Sequence, residues 1–525
     1  MKVITQEKAA TLIQDGMTVA IGGSGGSGSP EALLRALKDR YIKTAHPHNI
    51  TVIGGISPGN LTMDEVGMNI IAQEGLIGKA ICAHFGMGKA FGKMVAENKF
   101  PAFTIPLGVY NHLLRAIAGK EAGLFTHVGL HTFVDPRVEA ACANAKAKAL
   151  PPIVKLAKID DKEYLFFPSF PVHACLIKAT YADEDGNVSL EHEALIGEQY
   201  EIAAAVHNSH GIVIVQVEKI VPRGSLRARD VLLHHRLVDY VVVSEPDLSL
   251  GDYNVPIYRP ELTGDSKIEL EKLKPRVLDA RKVCARRASM ELKKDSLINL
   301  GVGMPDGVAS IASEEGFSNQ LNLSLETGPI GGVPVGGIVF GASINPDSVI
   351  STADTFDLYN GGGLDMAIVG LAQVDAKGNV NVSKFANRVI GPGGFINITQ
   401  TTRNVIFMGT FTTSGLEEKI QDGVLSIQKE GTIKKFVNQV EQITFSAQSA
   451  IAKKQNVLYI TERAVFRLVE TGLELIEIAP NIDLEKDILQ QMEFTPGISD
   501  HLKIMDERIF KEEKMNLILQ ELTSK

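Results

Sequence analysis

The chain has 525 residues, a formal charge of −9, 44% hydrophobic and 22% charged side chains, and no tryptophan. That length is too great for one core, so two or more domains are expected, and mild acidity without a basic stripe excludes a nucleic-acid footprint. Cys82, Cys142, Cys175 and Cys284 are scattered without a CxxC pair, which excludes a zinc or dithiol motif and fits a reducing cytosol. No apolar run reaches the roughly 18 residues that span a bilayer, and residues 1–8 lack the apolar core of a signal peptide.

In chain order, the strand-like run Thr18–Ile21 leads into Gly23-Ser24-Gly25-Gly26-Ser27-Gly28, and Pro30 opens a helix expected from Glu31 to Tyr41. A GxGxxG turn after a strand binds a dinucleotide only if the second strand ends in an acidic residue. Here that strand, Ile50–Ile53, ends in Gly54-Gly55, so a nicotinamide cofactor is disfavoured. The glycines still mark a close backbone approach, and the helix N-terminus favours an anion. His46, His48, His207, His210, His234 and His235 lack the helical HExxH context of a zinc enzyme.

The two halves echo each other. Asp183-Glu184-Asp185-Gly186-Asn187-Val188 recurs 192 residues later as Asp375-Ala376-Lys377-Gly378-Asn379-Val380, and Val213-Ile214-Val215 recurs at the same offset as Val405-Ile406-Phe407. A looser echo links Thr18–Gly22 before Pro30 to Ile298–Gly301 before Pro305. Apolar strands such as Val241–Val243 and Ile368–Gly370 alternate with helical stretches. The reading is α/β: two similar, open, mostly parallel sheets with helices on both faces, Rossmann-like and duplicated. The domains are placed at 1–275 and 276–525, divided in a region punctuated by Pro256, Pro260, Gly264 and Pro275. The tail from Asp506 to Lys525 reads as a charged amphipathic helix.

Leu321, Leu323 and Leu325 alternate with Asn322, Ser324 and Glu326, and glycines follow at Gly328, Gly331 and Gly332. This puts Glu326 where a strand meets a glycine-rich turn, and open α/β sheets bind ligands beyond the carboxyl ends of their strands. Gly301-Val302-Gly303 makes a similar junction. Asn360-Gly361-Gly362-Gly363 and Gly391-Pro392-Gly393-Gly394 are further loops whose N–H groups suit a substrate oxygen. No GxxxxGK[ST] loop occurs, which excludes P-loop chemistry, and a carboxylate is the best nucleophile candidate. A solvated Glu and ordinary tight turns are the plain alternative for the same residues.

Longer stretches carry a family likeness: Glu326–Gly332, Gly361–Asp365, Val437–Phe445, Thr461–Phe466 and Ile478–Ile498. With them the chain resembles class I coenzyme A transferases of the acetate/propionate CoA-transferase group, from the first glycine loop to about Ser499. The resemblance implies two similar open α/β domains, Glu326 as the catalytic carboxylate, and a ping-pong cycle through a glutamyl-CoA thioester with coenzyme A as substrate and no separate cofactor or metal. It implies an oxyanion site at the loop around Gly393 and Gly394 and at the loop of Leu107 and Gly108. Many relatives have Gln where this chain has Leu107, so Asn111 or backbone N–H groups are the candidate replacements. Gly301, Gly303, Gly362, Gly363, Lys384 and Arg388 are candidate CoA contacts. The expected partners are acyl-CoA and small carboxylic acids, in a cytoplasmic dimer or tetramer without nucleic acid or membrane. An acyl-CoA hydrolase and a non-catalytic CoA-binding regulator on the same fold are the alternatives.

Overall fold

A computed structural model describes residues 2–59, 65–244, 258–269, 276–336 and 340–522. The expected domain boundary at 275/276 touches residues 270–275, which lie outside the described residues.

The N-terminal half folds around one eight-stranded sheet whose paired strands all run parallel. Its strands are β1 (Lys2–Val3), β2 (Thr18–Ile21), β3 (Ile50–Ile56), β4 (Ile77–His84), β5 (Ala102–Thr104), β6 (Ala174–Lys178), β7 (Ile212–Val217) and β8 (Tyr240–Val243), in spatial order β1-β8-β7-β6-β2-β3-β4-β5. Helices α1 (Glu31–Thr44), α2 (Leu107–Ala118) and α3 (Gln199–Asn208) follow β2, follow β5 and precede β7. Residues such as Val213, Ile214 and Val215 are buried one after another, as strands covered on both faces require.

The C-terminal half repeats the plan with β9 (Leu297–Leu300), β10 (Asn322–Ser324), α4 (Thr352–Asn360), β11 (Met366–Gly370), α5 (Phe395–Thr401), β12 (Asn404–Met408) and β13 (Asn456–Ile460). The order β10-β9-β11-β12-β13 matches β3-β2-β6-β7-β8, and these five strands are parallel. Antiparallel strands extend both sides, Pro329–Ile330 beyond β10 and Ala464–Val469 beyond β13. One apolar cluster joins the halves, running from Leu107 and Leu113 to Phe356 and Phe395.

The repeated Asp motif is a repeated hairpin. Asp183 Oδ1 accepts N–H bonds from Asp185 (3.0 Å), Gly186 (2.9 Å) and Asn187 (2.9 Å). Asp375 Oδ1 accepts from Lys377 (3.1 Å) and Asn379 (3.0 Å). In both, the Asn amide returns to the second carboxylate oxygen, at 2.9 and 3.0 Å, and the Gly between has positive φ, 100° and 89°.

The described part of the tail departs from the expected helix. It makes a short 3-10 turn, Glu507–Phe510, then runs extended to a bridge between Gln520 and Lys293. The cause is Arg286, fully buried on the helix Ala280–Ser289, whose guanidinium donates to the carbonyls of Arg508 (3.3 Å), Ile509 (3.3 Å), Lys511 and Glu513 (2.9 Å). The Glu315 carboxylate takes the N–H groups of Met515 (2.7 Å) and Leu517 (3.0 Å). Those backbone groups are what a helix would have used.

Candidate active site

β10 ends at Ser324, two residues earlier than the alternation alone implies, and Glu326 stands in the turn that follows. Leu325 N–H donates to Pro329 O at 3.0 Å and Gly328 N–H to Leu325 O at 3.1 Å, closing that turn. Gly328 has φ 127° and a Cβ there would lie 2.1 Å from Ile350 O, so only glycine fits. The non-leucine face is not solvated as a block. Ser324 is buried, and its hydroxyl accepts from Tyr359 Oη at 2.8 Å while Asn299 Nδ2 donates to Ser324 O (3.3 Å) and to Tyr359 Oη (3.2 Å). This polar brace fixes the strand end that carries Glu326.

Glu326 is half-buried, with its carboxylate on the backbone of the Gly391–Gly394 loop. Gly394 N–H donates to it, and a Cβ on Gly394 would lie 1.8 Å from Oε2 and 2.8 Å from Phe356 Cζ. Burial pushes the carboxyl up to about 7, against the pull of the Gly394 hydrogen bond. A carboxyl raised to about 7 is roughly half ionised at neutral pH and fully ionised only above it, and its ionised form is poorly solvated, which suits it to nucleophilic attack.

The loop is held by the N-terminal half. Gly393 N–H donates to Ala83 O at 2.9 Å, Leu107 N–H to Gly393 O at 2.8 Å, and Gly108 N–H to Asn397 Oδ1 at 3.1 Å. The site is therefore a crevice between the carboxyl edges of two sheets. His84, at the end of β4, lies beside Gly393; burial lowers it to about 4, so it is a neutral ring.

The expected residues divide sharply by position. Glu326, Gly393, Gly394, Leu107 and Gly108 converge. Asn111 is buried nearby, and one of the two hydrogens on its Nδ2 is donated to Leu107 O at 3.0 Å within its own helix. The N–H groups of Leu107 and Gly108 are also bonded, which makes them supports of the loop rather than open donors. Gly301 and Gly303 follow β9 at the same carboxyl edge as Glu326. Gly362 and Gly363 do not join them. They close α4, with N–H bonds to Tyr359 O (3.0 Å) and Leu358 O (2.9 Å), and enter β11 at the opposite, amino edge. Lys384, half-buried, and Arg388, exposed, lie on a hairpin that leads into Gly391.

Other expectations resolve plainly. The start of α1 receives an amide instead of an anion: Gln216 Oε1 accepts from Ala32 N–H (3.0 Å) and Leu33 N–H (3.4 Å). His46 and His48 are exposed and both contact Asp15, at 2.8 and 3.1 Å. A cavity of about 390 Å³ lined by Asp365, Asn404 and Asn456 lies at the amino edge and does not include Glu326.

The fold and site define a duplicated open-sheet α/β protein with a poorly solvated carboxyl between its halves. The family profile for coenzyme A transferase matches residues 3–244. A caffeate CoA-transferase of Acetobacterium woodii is 44% identical over 516 residues, 97% of this chain and 98% of that one. An acetate CoA-transferase, YdiF, of Escherichia coli O157:H7 is 41% identical over 521 residues, 99% and 97% of the two chains. The crystal structure of the acyl-CoA transferase YdiF from E. coli O157:H7, a thioester complex with CoA, matches with a TM-score of 0.92 at 38% identity, covering 99% of this chain and 98% of that one. The chain belongs to the coenzyme A transferase family.

Proposed function

We propose that this CoA-transferase moves coenzyme A between short-chain carboxylic acids of the acetate and propionate type, in a ping-pong cycle through Glu326. The observation that carries the reading is the poorly solvated Glu326 carboxylate against the Gly394 N–H, in the crevice between the sheets. A Glu326 oxygen attacks the acyl-CoA carbonyl, the C–S bond breaks, and CoA leaves as thiolate with the electron pair. The resulting acyl-glutamyl anhydride is attacked at the glutamyl carbonyl by that thiolate, which releases the first acid as a carboxylate and leaves glutamyl-CoA. A second carboxylate attacks the thioester and expels thiolate, which then takes the new acyl group and restores Glu326. Gly394 N–H, bonded to the carboxyl oxygen at rest, is placed for the charge that develops on that oxygen in the two steps that attack the glutamyl carbonyl, by thiolate on the anhydride and by the second carboxylate on the thioester. Thioester and anhydride are close in reactivity, so no nucleotide and no metal is required, and coenzyme A is a substrate. No helix among the described residues is long and apolar enough to cross a membrane; the reading places the enzyme in the cytoplasm as a homo-oligomer.

The test mixes acetyl-CoA with propionate and looks for propionyl-CoA. Intact-protein mass spectrometry after acetyl-CoA quenching is expected to show a CoA adduct on the peptide bearing Glu326, and Glu326→Ala is expected to abolish both signals while keeping the fold. Wild-type exchange rates in that variant would overturn the assignment, and acetate plus free CoA without propionyl-CoA would make the enzyme a hydrolase.

A further inference from the structure

Glu198 belongs to no motif. It is the residue before α3, 2% exposed, and its Oε1 has no hydrogen-bond partner among the described residues. That oxygen lies over β3: a Cβ on Gly55 would be 2.9 Å from Glu198 Oε1 and 2.9 Å from Leu107 Cδ1. Leu107 is the residue whose N–H holds Gly393 beside Glu326. On the other side, Gly197 O accepts from Thr352 N–H at 3.1 Å, and Leu195 packs near Gly341, which also abuts Thr327. Glu198 therefore lies against the Leu107 side chain, one layer of side chain from the loop that meets Glu326.

An incoming acid arrives as an anion, and Glu326 cannot attract it. The cations Lys178 and Arg115 at this edge are already engaged, Lys178 by Glu193 and Arg115 by Glu201 (3.2 Å), Asp354 (2.6 Å) and Asp357 (2.7 Å). Burial, reinforced by the charge of Glu201, raises the Glu198 carboxyl to about 8, so it carries its proton at neutral pH. The ionisable groups around it are Glu201 on its own helix, Tyr110 and Arg115 on α2, Asp354 and Asp357 beyond Arg115, and Cys82 and Cys175 under Tyr110. Tyr110 Oη and Asn111 Oδ1 on α2 are likewise buried without partners.

Resting on the CoA-transfer reading above, we propose that Glu198, as the neutral acid, donates a hydrogen bond from its unpartnered carboxyl oxygen to a carboxylate oxygen of the acid substrate, holding it for attack. A carboxyl O–H to a carboxylate oxygen is a short charge-assisted bond, and it fails when Glu198 ionises.

The experiment is two-substrate kinetics with acetyl-CoA and propionate from pH 6 to 9, for wild type, Glu198→Gln and Glu198→Ala. Glu198→Gln keeps a donor but cannot titrate: its KM for propionate stays near wild type, and the rise in that KM above about pH 8 disappears. Glu198→Ala loses the donor: its KM for propionate rises about ten- to a hundredfold, with the KM for acetyl-CoA nearly unchanged. A Glu198→Gln profile that keeps the wild-type alkaline rise overturns the proposal, and so does an alanine variant whose two KM values move together. Should the alanine variant not fold, the glutamine profile decides alone. A wild-type CoA adduct on Glu326 alongside an unchanged glutamine profile overturns only this proposal; a missing wild-type adduct overturns the CoA-transfer reading with it.

Discussion

The two halves hold the same pair of groups in exchanged positions. In the C-terminal half the carboxylate, Glu326, follows the strand β10, and the glycine, Gly394, precedes the helix α5. In the N-terminal half, β3 is the counterpart of β10 and α3 of α5; there the strand carries the glycine, Gly55, and the helix start carries the carboxylate, Glu198. Each carboxyl fills the space its glycine leaves, 1.8 Å from a Gly394 Cβ and 2.9 Å from a Gly55 Cβ. Burial raises both, to about 7 and about 8. The difference lies in what each glycine can still give. Gly394 offers its N–H to Glu326, whereas Glu198 Oε1 has no such partner. A duplicated fold thus holds two poorly solvated carboxyls near one crevice, and in the functions proposed above one ionises and attacks while the other stays protonated and binds.

The steepest way to break this pairing is to fill a glycine. Gly394→Ala drives a methyl into the Glu326 carboxylate, and a displacement near 1 Å is worth about a hundredfold in rate; kcat for acetyl-CoA:propionate exchange should fall by at least that much. Gly55→Ala meets a looser fit, and its main effect should be on the KM for propionate. Glu326→Asp withdraws the carboxylate by one methylene, and a loss of about a hundredfold is expected in the rate of adduct formation if Glu326 carries the proposed thioester. Single-turnover mass spectrometry measures it directly.

The next effect is on stability, and its sign follows from the raised carboxyl. Between 4.5, the ordinary value, and about 7, the unfolded chain has released the Glu326 proton while the folded chain still holds it. The unfolded state then binds fewer protons, so stability falls as pH rises through that window and is lowest above it. Glu326→Gln should escape this loss and be more stable than wild type at pH 8 by about 2–3 kcal/mol, with the gap closing toward pH 4. Glu198 contributes equally to both proteins, so it cancels from the difference. Urea midpoints at pH 4, 6 and 8 test it; a gap that stays constant with pH would mean that Glu326 is well solvated. The acid limb of kcat/KM for acetyl-CoA should fall below about pH 7 for the same reason.

What the sequence could reveal follows from how local each feature is. The Glu326 turn, the Asp183 and Asp375 hairpins and the apolar parallel strands are set by neighbours in the chain, so spacing exposes them. Gly362 and Gly363 look like Gly393 and Gly394 as residues, but one pair ends a helix and the other begins one, and only the direction of β11 decides which edge each reaches. Asn111 looked like a wholly free donor because its bond to Leu107 O follows from the helix that contains both. Glu198, Tyr359 and Asn299 were silent. Their roles depend on partners 25 to 143 positions away in the chain, Glu198 over Gly55, and Asn299 and Tyr359 against Ser324 and each other, and no local pattern marks a lone Glu before a helix. The tail misled for a similar reason: Arg286 is more than 200 residues from the carbonyls it captures.

The twin hairpins give the smallest and most symmetrical test. Their carboxylates do the same work, yet their surroundings differ. Asn187 Oδ1 accepts from His235 N–H at 3.0 Å in a half-buried setting, whereas Asn379 is buried and its Oδ1 accepts from Ala447 N–H at 2.9 Å, with Gly378 O accepting from the Tyr459 hydroxyl at 2.6 Å. Removing the carboxylate strands backbone N–H groups in both, but water can reach those of the first hairpin more easily. Asp183→Ala should therefore cost about 1 kcal/mol and Asp375→Ala about 2–3 kcal/mol, because an unmet buried donor costs more than one that water can satisfy. Equal losses in urea unfolding would show that the duplication extends to the environment of the hairpins, and a larger loss at Asp183 would reverse the ranking drawn from burial. Neither variant touches the crevice, so exchange activity at low temperature should stay within about twofold of wild type for both, as expected for sites far apart with no shared partners.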